Sequence, residues 1–315
     1  MTYRISVLIQ ASLLCFLFAP GLQATAQQPA TSKMQGGRVI LGVLEDIPGE
    51  YSGESDFLAV RAVFEKNGDN WRAFPTNTKS YHDLQTLPVS YPPKKTWVIA
   101  FDGKNLGTIT AQTPSQFRFY SEIGIEHITS HGPVPTVGKK STDYAGFSDT
   151  PVYRPLVAVS QPNFTDPDQW KPAELTSELI ATARQQFRSK FPKVSNCKEP
   201  NETLLKPWDY RDEDIKVSKS YSSNNDWSLI ELQLTSYACD GMLDDDSAFG
   251  GQWYVIDPTG KPRFLGTNMW LVDAGDYDNN GSSEVLFSIN GYNSGGYRLF
   301  YKNFTQSTEF LFHYH

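Results

Sequence analysis

From Arg38 onward the chain runs in short apolar stretches, each closed by Gly, Asn, Asp or Pro. Arg38-Val39-Ile40-Leu41-Gly42-Val43-Leu44 is rich in β-branched residues and too short for a typical globular helix, so it predicts a strand. Leu58-Ala59-Val60-Arg61-Ala62-Val63-Phe64 alternates weakly, and Lys66-Asn67-Gly68-Asp69 turns it toward Trp71-Arg72-Ala73-Phe74, which is a hairpin signal. A second hairpin is predicted where Asp102-Gly103-Lys104-Asn105 joins Trp97-Val98-Ile99-Ala100-Phe101 to Leu106-Gly107-Thr108-Ile109. Phe117-Arg118-Phe119-Tyr120 and Pro155-Leu156-Val157-Ala158-Val159 add short strands. Later come Ile215-Lys216-Val217, the strictly alternating 229–234, Trp253-Tyr254-Val255-Ile256, and the runs at 267–272, 285–289 and 297–301.

One segment keeps the helical period instead. Leu175, Leu179, Ile180, Ala183, Phe187 and Phe191 fall at three- and four-residue spacing, opposite Glu174, Glu178, Arg184, Gln185 and Arg188. Pro172 or Thr176 opens the first turn and Pro192 stops it, so an amphipathic helix over about 173–190 is expected to pack on a β core. The fold class expected is mainly β. Trp-led hairpins with Gly-Lys turns at 97–107 and 253–266 are what propeller blades show, so the architecture expected is β-propeller-like antiparallel sheets with one helix. The alternative is two packed β-sandwich halves. The β-rich domain is expected at 38–315, with a division near 165–200 at the helical segment.

The first 26 residues have another character. Arg4 precedes an apolar stretch over 5–18, and Ala24-Thr25-Ala26 forms a small-x-small cleavage site before Gln27, the pattern of a secretory signal peptide. Leu14 stands where a lipoprotein signal needs a small residue, so Cys15 is not expected to carry a lipid. The polar stretch 27–37 reads as a disordered leader. A secreted or periplasmic location follows as an expectation, with no membrane span after cleavage because no later run approaches ~18 apolar residues. Without Arg4, 27 Lys+Arg stand against 35 Asp+Glu, a net charge of −8 with no basic cluster, which argues against nucleic acid as partner. The 13% aromatic content leaves protein or glycan ligands open. Two cysteines remain, Cys197 and Cys239, and an oxidising compartment favours one disulfide between them. Closing a roughly 40-residue loop would contribute ~3–4 kcal/mol in the chain-entropy description, with two buried thiols as the alternative.

The densest chemistry lies in Asp276-Tyr277-Asp278-Asn279-Asn280-Gly281-Ser282-Ser283-Glu284. Oxygen-bearing side chains fall on alternate residues, Gly281 takes the sixth position, and three carboxylates converge. Such a set repels itself unless a hard cation such as calcium neutralises it. The twelfth position is Phe287 and the flanks read as strands, so this is not an EF-hand. An acidic turn without metal is the alternative reading.

A calcium loop between strands with a carboxylate at its ninth position resembles those of FG-GAP repeats, the blades of the integrin α-subunit β-propeller. The resemblance covers about one blade, roughly 253–301. It implies that Asp276, Asp278, Asn280 and Glu284 ligate through side chains and Ser282 through its carbonyl. Asp244-Asp245-Asp246 is a weaker second candidate, better read as a solvated acidic loop, and Asp212-Glu213-Asp214 reads likewise.

Catalytic motifs are not found. There is no G-x-S-x-G, no His-Glu-x-x-His and no phosphate loop, since Gly291-Tyr292-Asn293-Ser294-Gly295-Gly296 joins two strands. His127 and His131 sit beside Gly132-Pro133, which disfavours the helix that would pair them on a metal, and His313 and His315 lie in the tail. The expected function is a secreted or periplasmic, calcium-stabilised binding or structural module without catalytic activity. The alternative is an extracytoplasmic hydrolase acting on sugars or phosphoesters. Ligands drawn from one segment favour the first, because a catalytic metal needs an open position.

Overall fold

The strand-forming runs at the start of the chain do not stack as radial blades; they close on themselves. In the computed structural model, described for residues 38–47, 57–76, 91, 94–115, 117, 120–136, 155–195, 207–235, 250–291 and 293–313, the compact unit spans Arg38–His315. Its first seven strands are β1 (Ile40–Ile47), β2 (Phe57–Asn67), β3 (Asn70–Ala73), β4 (Lys94–Phe101), β5 (Lys104–Gln112), β6 (Ile125–Ile128) and β7 (Leu156–Val159). They pair antiparallel in the order β1-β7-β4-β5-β6-β2-β3, and β1 also pairs with β2, which closes six strands into a barrel. The two predicted hairpins are present. The second turns on Asp102-Gly103 with both residues left-handed (φ 47° and 71°), the geometry that matches strand twist. Of the strand expected at 117–120, positions 118–119 lie outside the described residues and Tyr120 opens a 3-10 turn, Tyr120–Glu122; β6 was not foreseen.

The second half carries β8 (Lys171–Pro172), helix α1 (Ser177–Lys190), β9 (Val194–Ser195), β10 (Pro207–Trp208), β11 (Ile215–Ser222), β12 (Ser228–Leu234), β13 (Gln252–Ile256) and β14 (Pro262–Thr267). β9 and β10 form a two-stranded ribbon, while β14-β13-β12-β11-β8 form a five-stranded sheet. Finally β15 (Met269–Gly275), β16 (Glu284–Gly291), β17 (Ser294–Tyr301) and β18 (Gln306–His313) make a four-stranded meander in chain order. The chain is therefore mainly β, antiparallel throughout, with one α-helix among the described residues. α1 starts later than expected: Thr176 is its N-cap, accepting a hydrogen bond from the Leu179 N–H at 3.3 Å, and Pro172 belongs to β8 instead.

Burial arranges these parts as layers. Leu286, Tyr297, Leu299, Phe310 and Phe312 of the last sheet join the barrel cluster, while Val285, Phe287 and Phe300 join Leu229, Trp253 and Val255 of the five-stranded sheet. The last sheet is thus the middle layer; the first half of β16 is buried on both faces, which explains the unbroken apolar run Val285-Leu286-Phe287, while β18 keeps one face exposed. The far face of the five-stranded sheet takes α1, with Ala183 and Phe187 packed on Ile230, Leu232 and Tyr254. A polar seam also joins barrel to middle layer. Arg61 pairs with Glu45 at 3.0 Å and lies 4.2 Å over the Phe312 ring, and Tyr297 Oη donates to Glu45. Among the described residues no helix is long and apolar enough to cross a membrane.

Candidate metal centre

The connection between β15 and β16 in the middle layer is the acidic loop. Asp276, Asp278 and Glu284 each bring a carboxylate oxygen within 4.8 Å of the others. Among the described residues this is the one group of three His, Cys, Asp or Glu ligand atoms so closely set. Backbone N–H groups shape it. Asp276 accepts from the N–H of Asn280 at 2.9 Å and of Gly281 at 2.8 Å, and Asp278 accepts from that of Asn280 at 3.1 Å. Glu284 closes the ring, accepting from the Tyr277 N–H at 2.9 Å and from Asn280 Nδ2 at 3.3 Å. Asn280 Oδ1 accepts from the Ser282 N–H at 2.8 Å, and Ser282 is exposed. The structure therefore brings the three carboxylates together and sets Asn280 on their rim with its amide donor, rather than its oxygen, against Glu284. Gly281 is required by its backbone (φ 89°) and not by crowding, since a Cβ there would meet nothing within 4 Å.

Burial makes this arrangement costly. Asp276 is 5% and Glu284 2% exposed. Desolvation, reinforced by the neighbouring Asp278 charge, pushes Glu284 up to about 8, and desolvation also raises Asp276. One opposing charge is present: the Lys66 ammonium of β2 forms a salt bridge with Asp278. Three carboxylates face one ammonium there, and a hard divalent ion fits that all-oxygen deficit.

A second segment, 164–170, clamps the loop from outside. The Asp276 N–H donates to Thr165 O at 2.8 Å, Ser283 Oγ donates to Asp166 Oδ1 at 2.6 Å, and the Ser283 N–H donates to Asp168 Oδ2 at 3.1 Å. Phe164 stacks on Tyr277 with ring centroids 5.9 Å apart, and a Cβ on Gly275 would lie 2.4 Å from the Phe164 ring, so only glycine admits this contact. The barrel touches the same region, where the Asp102 N–H donates to Asp273 Oδ2 at 3.1 Å. Lys66, Asp166 and Asp168 escaped sequence reasoning. Lys66 lies 212 positions from Asp278, and no local motif links 166–168 to the loop.

The other candidates resolve simply. Asp212–Asp214 is a 3-10 turn whose carboxylates meet Arg188 and Arg211, as a solvated acidic turn does. His127 lies on β6 against Phe57, and His131 is exposed. Cys197, Cys239, Asp244-Asp245-Asp246, His82 and His315 lie outside the described residues. Compared with protein-family models, curated proteins and solved structures, the chain finds no match.

Proposed function

We propose that the protein is a secreted or periplasmic, calcium-stabilised, β-rich binding or structural module without catalytic activity. The observation that carries the reading is the convergence of the Asp276, Asp278 and Glu284 carboxylates within 4.8 Å, two of them on nearly buried residues. All three come from one nine-residue loop, as do Asn280 and Ser282, the further ligands proposed. Such a loop closes around its own ion, and its place between two strands of the middle layer makes the role one of stabilising that connection. The apolar leader supports export, and in an oxidising compartment Cys197 and Cys239 pair. The four-stranded meanders β11–β14 and β15–β18 each have the strand order of a propeller blade, which supports a blade-like origin for that half. Calorimetric titration tests the reading. Calcium should bind with Kd ~10⁻⁴–10⁻³ M and magnesium more weakly, since a flexible oxygen ring suits the larger ion. Heat from neither ion at millimolar concentration rejects it.

A further inference from the structure

The loop reaches the barrel through one ligand side chain. Its ties to 164–170 use the Asp276 N–H, the Ser283 N–H and Ser283 Oγ, none of which is a candidate ligand. The Lys66–Asp278 bridge is different, because it occupies Asp278 Oδ2. The two side chains are 17% and 3% exposed, so the contact is largely shielded from water. Lys66 is also held in place. Its N–H donates to Val39 O at 2.9 Å, it is paired with Trp71 across the β2–β3 hairpin, and its ammonium lies 5.5 Å from the Trp71 ring centroid. The acidic cluster thus already holds a cation, delivered by a rigid strand of another layer.

Resting on the metal reading above, we propose that Lys66 is a built-in competitor for the calcium ion: the loop exchanges an internal ammonium for the external ion, and the barrel contact is released as the ion enters. A carboxylate oxygen that ligates calcium no longer serves the ammonium fully, and two cations on one side chain repel one another. The bridge therefore sets the threshold calcium concentration. The ties to 164–170 survive occupancy because they spend no ligand oxygen, so the exchange acts on the barrel contact alone.

Calcium titration of the full chain by calorimetry, comparing wild type with Lys66→Met and Lys66→Arg, tests this. Methionine keeps an apolar stem against Trp71 and removes the charge, so calcium should bind Lys66→Met at least tenfold more tightly, which is about 1.4 kcal/mol. Lys66→Arg keeps the charge and should remain within about threefold of wild type. Equal affinity in wild type and Lys66→Met, or weaker binding by Lys66→Met, overturns the competitor role while leaving the metal site standing. No binding by any of the three removes the site and the inference with it. Amine labelling of wild type, read by mass spectrometry at Lys66, needs no variant. Labelling should be several-fold faster in calcium than in chelator, and equal rates contradict the exchange.

Discussion

Two buried glutamates in this molecule meet the same problem with different resources. Glu126 lies inside the barrel, 0% exposed, with one carboxylate oxygen accepting from Trp97 Nε1 at 2.7 Å and the other without a hydrogen-bond partner. Desolvation pushes it up to about 7, against the Trp97 hydrogen bond and the Lys95 charge. Glu284, in the loop, is pushed up to about 8 by desolvation and the charges of Asp278 and Asp276. A lone buried acid escapes its cost by keeping a proton. A set of three carboxylates has a second way out, which is to take a cation. Glu126 is accordingly part of a packed interior, whereas Glu284 belongs to a site poised on charge.

The largest effect should come from breaking the barrel interior. Trp97 is fully buried, so Trp97→Ala should cost ~3–5 kcal/mol through lost packing and an orphaned Glu126. That lowers Tm by roughly 10 °C for a domain of this size, and it should do so equally in calcium and in chelator. A fall present in only one of the two would mean that barrel and loop are not separate problems.

Next comes the proton itself. Because the folded value of Glu126 lies above its ordinary 4.5, its contribution is complete below about 4.5 and is lost as pH rises through about 7. Lys95, pushed down to about 8 mainly by burial, acts in the opposite sense only between that value and its ordinary 10.5. Glu126→Gln keeps an acceptor for Trp97 and cannot ionise. Between pH 4.5 and 7.5 its stability should gain about 3 kcal/mol relative to wild type, read from denaturant unfolding. Parallel pH profiles would mean that Glu126 stays charged.

These contrasts bear on what the sequence could reveal. Hairpins at 66–69 and 102–105, the helix at Ser177–Lys190 and the acidic loop are local, with turn residues, caps and ligands close together in the chain. Barrel closure depends on β1 pairing with both β2 and β7, and no short-range signal specifies that. β6 was missed because Glu126 and His127 interrupt its apolar pattern, although Glu126 points into the barrel. β18 was missed because Gln306, Ser307 and Glu309 interrupt its apolar pattern. At 229–234 the strand was legible from its alternation but its surroundings were not: Ile230, Leu232 and Leu234 pack toward α1, Leu229 and Glu231 are buried on the other face, and Gln233 is exposed. For the loop, ligands were legible and partners were not, since Lys66, Asp166 and Asp168 arrive only through tertiary packing.

A smaller effect separates clamp from ligands. Ser283→Ala removes the hydroxyl that donates to Asp166 and accepts from the Asp168 N–H, at 2.6 and 3.3 Å. It should cost about 2 kcal/mol in calcium and chelator alike, leaving calcium affinity near wild type. Lost calcium binding with an unchanged Tm in chelator would make Ser283 a ligand instead.

Melting the wild type and Glu284→Gln in calcium and in chelator decides whether the loop is a calcium site. Glutamine keeps an acceptor for the Tyr277 N–H while removing one of the three charges. With free calcium at about ten times Kd, binding to the folded state alone adds roughly 1.4 kcal/mol, a rise of a few degrees in wild-type Tm. Glu284→Gln should lose that rise and melt in chelator at or above the wild-type temperature. Identical wild-type melting in calcium and chelator, with Glu284→Gln less stable in both, would contradict the account and leave the loop an acidic turn neutralised by Lys66.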